Sequence, residues 1–412
     1  MIATEEPVGV PMLRMNNLQN DGWALGDLKY IELTPEELNK YKIVQGDILF
    51  NRTNSKELVG KCEVFKEEGD WVFASYLIRV RLDPSKALPE FVSAFLGTKA
   101  GRLQIDRVSR QIIGMSNVNA EELKALLIPF PSLNKQRDLV MDMESARAAR
   151  QAKLSQADEL LKGIDEFVLE QLGLKLPKEE KRATFAVRLN KVKQGRQDAL
   201  YYAPYYEKLV STLNKCKHPK VTLGEISPEL IGGATPTRGD TELYAEDGIK
   251  FLRILNIAPN EIVLNGVNYI QDGVHSSELK RSQLSKNDVL MTITGRVGTS
   301  AVITEDILPA NINQHIVRMR IQRESCLPEY LAVYLNTSIG IALSNRGVTG
   351  GTRIALDYEV IRKIQIPIPP IDTQKKIVSE LQRRRAQARA LREEAEREWQ
   401  SAKEKFEKAL LR

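Results

Sequence analysis

The sequence predicts an α+β fold built twice, two mixed α/β domains separated by two long coiled-coil helices. Three observations carry this: an internal repeat, two long segments with apolar stripes, and a net charge that alternates along the chain. The chain has 412 residues, too many for one ordinary domain. With 42% hydrophobic and 28% charged residues it can bury cores and is not a disordered polymer.

The repeat is the strongest signal. A shift of 239 places Gly9–Leu18 (GVPMLRMNNL) on Gly248–Ile257 (GIKFLRILNI), with Arg14 on Arg253 and Asn17 on Asn256. The same shift matches Tyr30-Ile31 with Tyr269-Ile270, Arg79 and Arg81 with Arg318 and Arg320, and Leu88-Pro89-Glu90 with Leu327-Pro328-Glu329. A shift of 238 then aligns Ile128–Val140 with Ile366–Val378. Matches held at one near-constant offset over more than a hundred residues mark a duplication.

Each copy reads alike. Ile48–Phe50, Leu77–Leu82, Val289–Thr292 and Ile316–Ile321 are short apolar or alternating runs between turn residues, hence strands. Pro89–Leu96 and Pro328–Asn336 begin with proline and read as short helices. An I-P-x-P stretch follows, extended because each proline restricts its predecessor. It leads into a long segment of helix formers. In the first, Leu154, Ala157, Leu161, Ile164 and Val168 form a heptad seam. In the second, Ala388, Leu391, Ala395, Ala402, Phe406 and Ala409 form an Ala-rich stripe. Pairing with each other is the expected way to bury both stripes, the alternative being that each helix packs on its own domain. The first helix spans about 57 Å at 1.5 Å per residue. The domains therefore run 1–133 and 221–373, the helices 134–176 and 374–412. Residues 177–220 form a polar connector whose Tyr-rich patch, LYYAPYYEKL, should dock somewhere.

The chain carries +6 overall. Residues 1–134 carry −2, 135–220 carry +6, 221–372 carry −3 and 373–412 carry +5. The basic excess lies outside the two globular stretches, so affinity for nucleic acid cannot rest on a general field there. Three scattered cysteines without a CxxC pair fit a reducing cytoplasm and exclude a disulfide scaffold or zinc ribbon. No apolar run approaches a membrane span, and the N-terminus does not read as a signal peptide. Walker, GxGxxG, GxSxG and HExxH motifs are absent. His315 reads as a turn or core residue, and Asp47 and Asp288 as matching turn residues before strands. The chain reads as a protein that binds, with no catalytic and no metal-ligating residue to name.

The ordered set resembles the specificity subunit of type I restriction–modification enzymes. It comprises Gly233-Ala234-Thr235-Pro236, Gly295-Arg296-Val297-Gly298, Asn313-Gln314-His315, Gly350-Gly351-Thr352, Ile366–Pro369 and Gln374–Ile377. The first copy answers with Leu58-Val59-Gly60, Ile113–Ser116, Ile128–Pro131 and Gln136. The resemblance implies two target-recognition domains, each reading half of a split double-stranded DNA target, and helices that pair antiparallel. It implies no catalysis in this chain. Its partners would be modification subunits, two of them, methylating adenine from S-adenosylmethionine. Restriction and translocation subunits using ATP and magnesium would join them. No cofactor is expected here, and no membrane partner.

Base readout needs Arg, Lys, Asn, Gln or Thr at loop tips. The candidates in the first domain are Arg14, Asn17, Asn51, Arg52, Asn54, Lys56, Arg107, Arg110 and Gln111. In the second they are Arg238, Arg253, Asn256, Thr294, Arg296, Arg346, Thr352 and Arg353. Arg14 and Arg253, kept between domains expected to read different bases, also suit a structural role. Before its copy of the repeat the second domain has Val221–Gly248, whereas eight residues precede Gly9. The first domain is therefore expected to lack a segment of roughly 27 residues present in the second, and to recognise its half-site less sharply. An orphan or truncated DNA-binding or scaffold protein from a degraded restriction locus is the alternative. A fused methylase is disfavoured, since no NPPF- or DPPY-like tetrapeptide is present.

Overall fold

The computed structural model describes the chain apart from residues 1–2, 20–21, 57, 113–114, 180–183, 194–197, 237–242, 323, 350–354 and 411–412. The chain divides into two units, Met1–Ala157 with Arg389–Arg412, and Asp158–Ala388. Helices Leu133–Leu172 and Ile371–Leu410 each give part of their length to each unit.

In the first unit, strand Ile48–Asn51 lies between Leu77–Val80 and Cys62–Val64, antiparallel to both. A second sheet runs Lys29–Ile31, Val10–Leu13, Trp71–Phe73, Lys42–Ile43, with its middle pair parallel. The second unit repeats the pattern. Val289–Thr292 lies between Ile316–Met319 and Ser300–Val302, and Ile249–Leu252 runs parallel to Ala310–Ile312. The strand segments expected from alternation are all present; two are shorter, since Leu77–Val80 and Ile316–Met319 stop before Leu82 and Ile321. Helix Pro89–Leu96 and its counterpart Pro328–Leu335 both start on proline, where a missing N–H costs nothing.

The units differ at one edge. In the second, Leu230–Gly232 pairs with the outer side of Ile316–Met319, and Lys220–Thr222 pairs with Gln365–Pro367. In the first, Leu77–Val80 is an edge strand among the described residues, and Ile128–Pro131 has no strand partner. Leu127 and Phe130 are accordingly exposed. The stretch expected as a connector is part of the second unit's core, because helix Pro204–Asn214 buries Leu209 and Leu213 there. Tyr205 and Tyr206 pack on the same core.

The long helices are held within each unit by contacts with each other. In the first unit Leu139 and Met143 share a core with Trp399 and Phe406, and Phe406 stacks 5.6 Å from Phe91. Further along, Lys153 Nζ lies 2.8 Å from Glu394 and 2.6 Å from Glu398, and Arg150 3.3 Å from Glu396. Partner numbers fall as the first helix advances, so the pair is antiparallel. Ala157, Ala395 and Phe406 are buried, Ala402 and Ala409 pack against the core, and Leu154 and Leu391 are half-buried. In the second unit Val168 and Ala388 are buried, Ile164 packs on the core with Leu381, and Leu161 is half-buried. Gly163 allows Arg384 to cross: a Cβ there would stand 2.6 Å from its Nη1.

Each long helix is fixed at its start by a buried glutamine. Gln136 accepts from the Leu88 N–H at 2.9 Å and donates to the carbonyls of Pro131 (2.9 Å) and Lys86 (3.3 Å). Gln374 accepts from Leu327 at 2.9 Å and donates to Pro369 (2.9 Å) and Ser325 (2.7 Å). Both side chains have no exposed surface. Replacing Gln374 by Ala leaves one N–H and two carbonyls unserved. The expected loss is about 1–3 kcal/mol, read as an earlier urea midpoint with an unchanged slope.

A candidate nucleic-acid interface

The repeat produces the same corner in each unit, where the sheet's central strand runs out into a loop. In the first, Thr53–Asn54 pairs with Met115–Asn117, which pairs with Arg110–Ile112. In the second, Thr294 bridges to Ala355, in the hairpin Val348–Thr349 with Ala355–Leu356. Each corner is supported by a glycine with positive φ, Gly60 (81°) and Gly298 (90°). A Cβ on Gly60 would meet Ile105 at 2.7 Å, so the loop lies directly on helix Lys99–Val108.

Below each corner sits a buried carboxylate. Arg81 holds Asp47 through two bonds, Nε to Oδ1 at 2.7 Å and Nη2 to Oδ2 at 2.6 Å. Arg320 holds Asp288 in the same way at 2.9 and 3.1 Å. Each Asp also accepts a backbone N–H, from Val44 and Ser285 at 2.9 and 2.8 Å. The bonds to Asp288 raise the Arg320 guanidinium further, while burial lowers that of Arg318. The aspartates are thus turn residues, with an arginine partner that alternation alone did not reveal. The signal was present, because Arg81 and Arg320 match at the repeat offset.

Several residues expected at base edges are committed elsewhere. Asn17 and Asn256 are buried and cap the short turns they end, accepting from the N–H of Arg14 and Arg253 at 2.9 Å. Asn17 donates to Ala24 and Asp27, Asn256 to Val263. Arg14 pairs with Asp27 at 3.2 Å and Arg253 donates to Gly266 at 2.9 Å. Asn51 is buried and donates to Leu58 at 3.2 Å. These side chains brace loops, since each has its amide or guanidinium turned onto local carbonyls. Arg346 stacks 4.4 Å from the Tyr201 ring and donates to the Tyr201 carbonyl, which docks part of the Tyr-rich patch.

The remaining candidates lie around the corners. Lys56, Arg107 and Arg110 are exposed, Arg110 pairing with Glu122 at 2.9 Å. Arg52 and Asn54 are half-buried, and the Asn54 amide points to Met15 Sδ at 3.7 Å. Thr294 is half-buried, and Arg296 is exposed with one nitrogen 3.3 Å from the Ile257 carbonyl. Gln111 contributes its backbone to a strand, and its side chain lies outside the described residues, as do Arg238, Thr352 and Arg353. Arg102 also ties the corner to its helix, donating to the carbonyls of Val59 and Lys56. No local pattern marks it, because both carbonyls lie more than forty residues away. Among the described residues no cluster of His, Cys, Asp and Glu suits a metal ion. No described helix is long and apolar enough to cross a membrane.

Comparison with known proteins fits this duplicated frame. The family described as the type I restriction modification DNA specificity domain matches residues 3–146 and 217–396. The chain belongs to this family. It is 24% identical over 282 residues to the type I restriction enzyme EcoBI specificity subunit of Escherichia coli, covering 68% of this chain and 55% of that one. It is 29% identical over 143 residues to the EcoKI specificity subunit of E. coli K12, covering 34% and 31%. These matches thus span about a third to a half of those relatives' lengths. The putative MjaX specificity subunit of Methanocaldococcus jannaschii is 22% identical over 396 residues, 92% of this chain and 80% of that one. A solved structure concerned with complex assembly and conformational transition of the type I R-M system shares the fold. It covers 99% of this chain and 93% of that one, at 16% identity and a TM-score of 0.54.

Asn256→Ala tests the bracing role. It should lower the stability of the second unit by about 1–3 kcal/mol, since it strands buried partners. The same variant should leave the preferred DNA sequence unchanged, as measured by selection from a randomised duplex pool.

Proposed function

We propose that this chain is the DNA sequence-recognition subunit of a type I restriction–modification complex, reading a bipartite target with one unit per half-site. The observation that supports it most is the contrast between constant frame and variable tips. Asp47 and Asp288, Arg81 and Arg320, and Gln136 and Gln374 make the same contacts in both units. At the corners, by contrast, NRTNSK in one unit corresponds to TITGRV in the other. A frame that repeats while its loop ends differ is what two unlike half-sites require. Bases are read by side chains, and position is set by the scaffold and phosphate contacts.

In this reading the chain carries no catalytic residue. Adenine methylation from S-adenosylmethionine, and translocation with ATP and magnesium, belong to modification and restriction subunits docked on it. Both globular stretches are net acidic by sequence, so much of the phosphate-neutralising charge comes from those partners. The lone chain should therefore bind specific duplex weakly. Gel-shift titration with and without the modification subunit, at matched salt, measures the difference.

Alanine at Arg296 should degrade one half-site, by about tenfold to a hundredfold if a bidentate base contact is lost. Alanine at Arg107 and Lys56 should degrade the other. Methylation mapping across a library of split targets reads both. Loss of the same half-site in both variants overturns the assignment of one unit per half.

A further inference from the structure

A cleft in the first unit is not needed for the shared frame. It has a volume of about 350 Å³ and is lined from strand Cys62–Val64, helix Pro89–Leu96 and both long helices. Six of its lining residues are cationic and four acidic. Three of the acids are engaged: Glu63 with Arg147 at 3.1 Å, Glu144 with Lys66 at 3.1 Å, and Glu396 with Arg150 at 3.3 Å. The fourth, Glu90, is half-buried. Lys61 and Lys403, also half-buried, have no carboxylate within ion-pair distance among the described residues. Lys403 lies over the Trp399 ring at 5.3 Å.

Both lysines are uncomfortable as cations. Burial, then the Arg102 charge, lowers Lys61 below its ordinary value. Burial lowers Lys403 most, with Arg150 and Arg102 acting in the same sense and Glu396 against them. The second unit shows that the fold does not demand this. Its Thr299 occupies the place of Lys61, Ser300 that of Cys62, and Asn336 that of Gly97. Asn336 closes the gap with neutral bonds, accepting from Ser300 N–H at 3.0 Å and donating to its carbonyl at 2.7 Å. Arg385, the counterpart of Arg147, is there paired with Glu261 at 2.8 Å. In the first unit the asparagine side chain is missing, the cleft is open, and a net positive charge collects in it.

We propose that this cleft binds a phosphate group, held by Lys61 and Lys403 with Arg102 and Arg150 around it. The two lysines supply a formal positive excess that a phosphate's negative charge offsets, and partial burial strengthens the attraction. The proposal does not rest on the reading of the two corners. The phosphate is either free, as in inorganic phosphate or pyrophosphate, or part of a nucleic-acid backbone.

The test uses the full chain. Sodium pyrophosphate should raise its melting midpoint where sodium chloride of equal ionic strength does not, and titration calorimetry should give one site. The double variant Lys61→Gln, Lys403→Gln should melt higher than the parent without ligand, since two repelled charges are gone, and bind pyrophosphate at least tenfold more weakly. If that variant does not fold, Lys61→Gln alone and the charge-preserving Lys61→Arg provide the same comparison. Non-specific duplex binding then separates the sources. A backbone phosphate in the cleft predicts competition by pyrophosphate and a salt slope reduced by about one in the variant. A free phosphate compound predicts pyrophosphate binding with DNA binding unchanged. No pyrophosphate site on the parent, or one undiminished in the variant, overturns the proposal, and neither result touches the half-site assignment.

Discussion

A primary amide offers one acceptor oxygen and a nitrogen with two hydrogens, and each unit closes its frame around one such group. At Gln136 and at Gln374 those valences meet one backbone N–H and two carbonyls, all withdrawn from water. The N–H belongs to the residue that caps the short helix; one carbonyl comes from the I-P-x-P stretch and the other from the loop before the cap. Three segments are thereby fixed with respect to one another by a single side chain. A glutamate lacks the donors and a leucine lacks everything, so neither can stand in without leaving buried polar groups open. The direction in which each long helix departs follows from this contact.

What the sequence disclosed was periodicity and punctuation. Strand Val289–Thr292, helix Pro89–Leu96 and the two long helices follow from runs of apolar residues and from prolines that only certain positions accept. The duplication was legible because matched residues carry the frame. Less legible was the fate of individual polar side chains. Asn17, Asn51 and Asn256 look like loop-tip residues, yet they are buried, because the carbonyls they serve are brought round by the loop's own path. Nor does local pattern tell that Arg346 spends its planar face on Tyr201, a residue 145 positions away. Composition assigned Pro204–Asn214 to a polar connector, whereas two leucines one helical turn apart make it part of a core.

The corners and the frame respond to different pressures. A frame residue such as Asp47 has its neighbours fixed on every side, so a change there is felt as lost stability. Lys56, Arg107 and Arg296 stand in solvent, and exchange there leaves packing nearly untouched. Such a chain can acquire new loop ends without being refolded. The cationic cleft of the first unit shows that the two copies have also diverged away from the corners.

The first unit is made of Met1–Ala157 and Arg389–Arg412, with the second unit encoded between those two segments of the sequence. During synthesis from the N-terminus, Phe91 emerges some three hundred residues before Phe406, the ring it stacks on. The second unit has all its residues once Ala388 is made, whereas the first still waits for Trp399 and Phe406. Folding on the ribosome therefore ends with the unit that began first. A premature stop near the C-terminus spares the later-encoded unit and opens the core of the earlier one.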